Sequence, residues 1–142
     1  MTVLPVPRVS RSQRGLDDVL HLVTVGASVR FVLAESLRDA GYRVRDFDNA
    51  RAALSVLTHA SPDVVCTDVR MPGTSGLVLF DRLIERGLVE RLPVIFLTGH
   101  GDVPTAVAAV KRGAFDFVEK PFSDNALVDR VLQALEASGQ AI

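Results

Sequence analysis

The chain has 142 residues, about one ordinary domain by length, with 48% hydrophobic and 23% charged residues, the balance of a soluble globular protein. Sixteen Lys and Arg against 17 Asp and Glu leave a net charge of −1, so no bulk basicity argues for nucleic acid. A single cysteine excludes a disulfide framework, and no apolar run approaches the roughly 20 residues of a membrane-spanning helix, so a cytoplasmic setting is expected.

Residues 1–15 carry Arg8, Arg11 and Arg14, no acid, and Pro5 and Pro7, leaving 13 basic and 17 acidic residues in the rest. They read as a flexible basic N-terminal arm without the apolar core of a signal peptide, ahead of a domain over residues 16–142. There the apolar pattern alternates between two periods. Val19–Val25 is a short, nearly continuous apolar run, as in a parallel strand covered on both faces. Ser28–Ala40 sets Val29, Val32, Leu33 and Leu37 at helical spacing, and Gly41 stops it. Tyr42–Phe47 is a more polar strand suited to an edge, and Asn49 caps a helix through Ala60 with Ala53, Leu54 and Leu57 on one face.

Pro62 leads into a third strand, Asp63–Thr67. The helix Gly76–Gly87 follows with Leu77, Leu79, Phe80, Leu83 and Ile84 inward, then the strand Pro93–Leu97, the short helix Asp102–Arg112 and the strand Ala114–Val118. Ser123 caps a last helix whose stripe of Leu127, Val128, Val131, Leu132 and Leu135 reads as core. Five β/α units predict an α/β fold, an open parallel sheet wound on both sides.

In such sheets chemistry gathers beyond the carboxyl ends of the strands, where the strand order reverses. Those ends carry Thr24-Val25-Gly26, Asp68, Thr98-Gly99 and Lys120-Pro121. A carboxylate, a hydroxyl and an ammonium converging there suit phosphoryl transfer, with Asp68 the nucleophile and Thr98 and Lys120 holding the transferred oxygens. Each alone is a common loop residue; their joint placement carries the reading.

Three segments carry a resemblance: Asp68-Val-Arg-Met-Pro-Gly-Thr-Ser-Gly76, Leu97-Thr-Gly-His-Gly-Asp-Val-Pro104 and Gly113-Ala-Phe-Asp-Phe-Val-Glu-Lys-Pro-Phe122. From about Leu20 to Leu135 the chain resembles a response-regulator receiver domain, nearest the FixJ-like group. The resemblance implies a flavodoxin-like (CheY-like) sheet of strand order 2-1-3-4-5. It implies Asp68 as the phosphoacceptor of a histidine kinase, Thr98 and Phe117 as a switch pair, Lys120 as the phosphate-binding lysine, and a cis Lys120-Pro121 bond.

One departure stands out. Receivers end their first strand in an acidic pair that holds Mg²⁺ with the phosphoacceptor and a backbone carbonyl; here Thr24 and Val25 occupy those positions, and Gly26 and Ala27 follow. Asp17 and Asp18 are no substitute, because they precede the strand and lie roughly 20 Å away at its other end. Only Asp68 and the carbonyl of Arg70 remain for a metal, an incomplete site from which weak or absent Mg²⁺ binding and slow or absent phosphorylation are expected. A direct Asp68–Lys120 ion pair without metal is expected in its place, holding the Thr98/Phe117 switch in one conformation.

Other residues read as structure. Cys66 is a small core residue, and His21, His59 and His100 are too scattered for a metal motif, although His100 adjoins the site. Gly73–Gly76 lacks the Lys-Ser/Thr of a P-loop and reads as a turn, and no G-x-S-x-G elbow marks a hydrolase, so no enzyme is expected beyond self-phosphorylation and autodephosphorylation at Asp68.

The chain ends soon after its last helix, with no room for a helix-turn-helix, so neither nucleic acid nor membrane is expected as a partner. A histidine kinase, a phosphotransfer protein, or a second copy through the last helices is. Three readings stay open: a divergent receiver acting through protein contacts, a conventional phospho-accepting regulator, and a flavodoxin-like module binding a small ligand in the crevice vacated at Val25, Gly26 and Ala27.

Overall fold

The structure, a computed structural model, describes residues 18–57, 62–71 and 73–140. The basic arm, His59 and the expected continuation of the second helix to Ala60 lie outside the described residues. Among the described residues five strands alternate with five helices: β1 (Val19–Val23), α1 (Ala27–Asp39), β2 (Arg43–Phe47), α2 (Ala50–Leu57), β3 (Val64–Asp68), α3 (Gly76–Glu85), β4 (Val94–Thr98), α4 (Val103–Lys111), β5 (Asp116–Glu119) and α5 (Asp124–Gln140). A 3₁₀ turn, His100–Asp102, leads into α4. All strand pairs are parallel, in the order β2-β1-β3-β4-β5. The doubly wound architecture expected from the alternation is the one observed.

The strands' composition explains their places. β3 and β4 are buried along their whole lengths, as continuous apolar runs covered on both faces must be, whereas β2 at the edge alternates exposed and half-buried residues. The sheet divides the interior into two cores. One gathers Leu20, Leu22, Leu33, Leu37, Cys66, Leu97, Leu127, Val131 and Leu135 under α1 and α5. The other gathers Val23, Ala53, Val65, Leu79, Phe80, Leu83, Phe96 and Ala106 under α2, α3 and α4, with Phe80 and Phe96 edge to face at 5.4 Å.

Helix starts follow local capping chemistry. Asn49 Oδ1 accepts from the Ala52 amide, Ser75 Oγ from Val78, and Ser123 Oγ from Ala126. Among the described residues no helix is long and apolar enough to cross a membrane.

Two expectations need correction. β1 ends at Val23, because the chain turns at Gly26, whose φ of 88° suits glycine, leaving Thr24 and Val25 to face the neighbouring strand end. On α1, Leu33, Ala34 and Leu37 are buried, but Val29 and Val32 are 49% and 50% exposed rather than core. Beside these two residues lies the segment after β5, with an open cavity between, so they have no closely packed layer to enter.

Candidate functional site

Asp68 closes β3 in the middle of the sheet, its residue only 2% exposed. Because β1 and β4 flank β3, the ends of three strands converge on its carboxylate. Thr24 Oγ1 donates to Asp68 Oδ2 at 2.9 Å and the Val25 amide donates to the same oxygen at 3.1 Å. Lys120, just past β5, donates through Nζ to Oδ1 at 3.1 Å. The ion pair expected from sequence is present, and Thr24 and Val25 are hydrogen-bond donors to Asp68.

The three donors differ in setting. Thr24 is fully buried, so its bond to the carboxylate stands in low dielectric, where leaving either group unpaired costs about 1–3 kcal/mol. The Lys120 side chain is 40% exposed and its pair with Asp68 is partly screened by solvent. A protein hydroxyl and an amide hydrogen both point at Oδ2, one of the two oxygens from which a cation would draw electron density.

Thr98 and Phe117 are placed beside this cluster rather than in it. Thr98 is fully buried at the end of β4, but its hydroxyl donates to the Gly99 carbonyl at 3.1 Å. Its carbonyl accepts from the Lys120 amide at 2.8 Å, which ties the lysine to the end of β4. The Lys120-Pro121 bond is cis, as the resemblance implies. Phe117 is half-buried in β5 opposite Phe96 and packs against the core under α2, α3 and α4.

The loops around the site are cross-linked at the surface. Arg70, two residues after Asp68, pairs through Nε with Asp102 at 2.6 Å. His100 Nδ1 lies 2.9 Å from Glu119, joining the loop after β4 to the end of β5. His100 thus pairs with a surface carboxylate. Asp18 sits before β1, its carbonyl accepting from Arg43, at the opposite end of the strand from Thr24.

Two residues matter that spacing did not single out. Arg30, in the first turns of α1, donates through Nη1 to the Thr24 carbonyl at 3.1 Å and through Nε to Asp46 at 3.3 Å, pinning the loop that faces Asp68. That contact depends on β2 lying next to β1, which no local pattern encodes. Gly76, read as the end of a turn and the start of a helix, begins α3 hard against the end of β3. A Cβ there would come within 1.8 Å of the Asp68 carbonyl oxygen, so only glycine lets the helix approach this closely.

Two buried groups on neighbouring strands are inert. Burial pushes the Cys66 thiol up to about 12, consistent with a small core residue. His21, packed edge-on to Phe47 at 5.1 Å, is held down to about 4, first by burial and then by the charge of Arg45 on the adjacent strand. Among the described residues no group of three or more His, Cys, Asp or Glu could hold a metal ion.

With the geometry established, comparison with known proteins is decisive on family. The family model for the response regulator receiver domain matches residues 24–132. The C4-dicarboxylate transport transcriptional regulatory protein DctD of Pseudomonas aeruginosa is 45% identical over 121 residues, covering 85% of this chain and 24% of that protein. The transcriptional regulatory protein FixJ of Bradyrhizobium diazoefficiens is 39% identical over 122 residues, 86% of this chain and 58% of that protein. A crystal structure of a response regulator receiver domain protein from Clostridium thermocellum superposes with a TM-score of 0.81 at 26% identity, covering 88% of this chain and 99% of that one. The chain therefore spans between about a quarter and three-fifths of these two curated relatives.

Proposed function

The chain belongs to the response regulator receiver domains, and from that premise we propose that it is a divergent receiver whose Asp68 is held by protein donors instead of Mg²⁺. In this reading phosphorylation at Asp68 is slow or lost, and the domain signals by protein–protein contact, with a histidine kinase, a phosphotransfer protein or a second copy as partner. The observation that carries it is the donor set on Oδ2: a Thr24 hydroxyl and a Val25 amide where the family pattern has carboxylates.

Such a set does not fit Mg²⁺, which keeps octahedral oxygen coordination and is normally held by one or two carboxylates. Hydrogens directed at Oδ2 would meet the ion instead of lone pairs, and Asp68 with the Arg70 carbonyl would be all the resemblance leaves to bind it. Asp68 is already paired with Lys120 on one oxygen and hydrogen-bonded on the other, so its nucleophilicity is lowered as well.

A second reading has its own support. The resemblance assigns the phosphoacceptor, lysine and switch roles to Asp68, Lys120, Thr98 and Phe117, and the matched relatives are named as regulators, so a conventional phospho-accepting receiver tolerating the lost acids is the alternative. Intact mass after incubation with a small phosphodonor, with and without Mg²⁺ and beside Asp68→Ala, decides between them. The divergent reading expects no Asp68-dependent addition, and gain of a Mg²⁺-dependent adduct in the double variant Thr24→Asp, Val25→Asp. A Mg²⁺-dependent adduct on the natural chain, absent in Asp68→Ala, establishes the conventional reading.

A further inference from the structure

The half-exposed valines of α1 border a cavity of about 400 Å³, within the range of small-molecule sites. It opens between the first turns of α1 and the segment after β5, and Lys120, which also bonds Asp68, lines it. Its walls are Val29, Val32, Phe122 and their neighbours, with the Ser28 hydroxyl and Lys120 as polar features. Among the described residues that line it, Lys120 is the one charged group and none is a carboxylate.

The polar features favour an anion. The Lys120 ammonium has three donors; Asp68 takes one, and 40% of the side chain remains exposed. α1 is 13 residues long, no side chain caps its first turn and no acid stands there, so the positive end of its dipole reinforces the lysine. Asp68 limits the charge the site accepts: beside a carboxylate that already shares the ammonium, a monoanion is tolerated and a dianion repelled. The apolar walls require a hydrocarbon body.

From these features we infer that the cavity binds a small apolar carboxylate, its head at Lys120 and Ser28 and its hydrocarbon body against Val29, Val32 and Phe122. The cavity and Lys120 are present in the unphosphorylated chain, so the site does not require Asp68 to accept phosphate. A bound carboxylate would share Lys120 with Asp68 and so loosen the contact between β5 and β3.

Amide correlation spectra of the whole chain titrated with octanoate, octanol and octylammonium test the assignment. Octanoate is expected to shift Val29, Val32 and Phe122 saturably and to bind about tenfold more tightly than octylammonium. Val32→Trp, which fills the cavity without adding charge, abolishes the effect, and Val32→Glu reverses the preference toward octylammonium. Both substitutions fall at a half-exposed position, and circular dichroism verifies the fold of each. Absence of saturable octanoate binding, equal affinity for octylammonium, or unchanged octanoate binding by Val32→Trp overturns the inference.

Discussion

Asp68 is held from two sides that differ in kind. On the β5 side, Lys120 brings a part-exposed cation to Oδ1. On the β1 side, Thr24 and Val25 bring a buried hydroxyl and a backbone amide to Oδ2. The strand order brings both sides to the same carboxylate; the side chains decide whether each attracts or repels it. One carboxylate is thus held by a charge on one side and by uncharged donors on the other.

The most severe way to break the arrangement is to move Asp68 itself. Gly76→Ala puts a methyl group into the Asp68 backbone, and loss of about 3 kcal/mol or more of unfolding free energy is expected in urea titration. Both sides fail together in that variant, since both depend on where β3 ends.

Acid loads β1 from within. His21 is neutral in the fold to about pH 4, whereas in the unfolded chain it protonates near 6.5. Its contribution is therefore fully present above pH 6.5 and is lost as pH falls from there toward 4, by about 3 kcal/mol in all. His21→Phe removes this slope, which stability measured across that interval reads directly.

Asp68→Ala distinguishes the two kinds of side by sign. Among three crowded carboxylates, deleting one relieves repulsion and stabilises the fold without metal. Here deletion strands a buried hydroxyl and an amide and frees Lys120, so a loss of about 2 kcal/mol is expected. A gain in stability contradicts the donor arrangement. The smallest effect isolates one donor: Thr24→Val keeps the shape, removes the hydroxyl, and is expected to cost about 1 kcal/mol in thermal or chemical unfolding.

Much of this was legible in the residues. Alternating apolar periods marked every strand and helix, and the caps at Asn49, Ser75 and Ser123 are local chemistry that a short window contains or nearly contains. Boundaries moved by a residue or two where backbone pairing overrode the apolar run, as at Val23. Asp68 with Lys120 was foreseeable from strand ends. The exposure of Val29 and Val32 was not, because helical spacing shows which residues share a face but not whether anything packs over it.

The sequence by itself therefore determined the layered architecture, the family and the absence of acids after β1, all properties carried by local period or residue identity. Only the tertiary structure decided that the Thr24 hydroxyl and Val25 amide turn onto Asp68, that Arg30 holds their loop through Asp46, and that Gly76 is pressed against Asp68. It also decided that α1 leaves an apolar cavity beside Lys120. Each of these joins strands or helices distant in the chain, and contact across a sheet depends on which strands become neighbours, information no single segment holds.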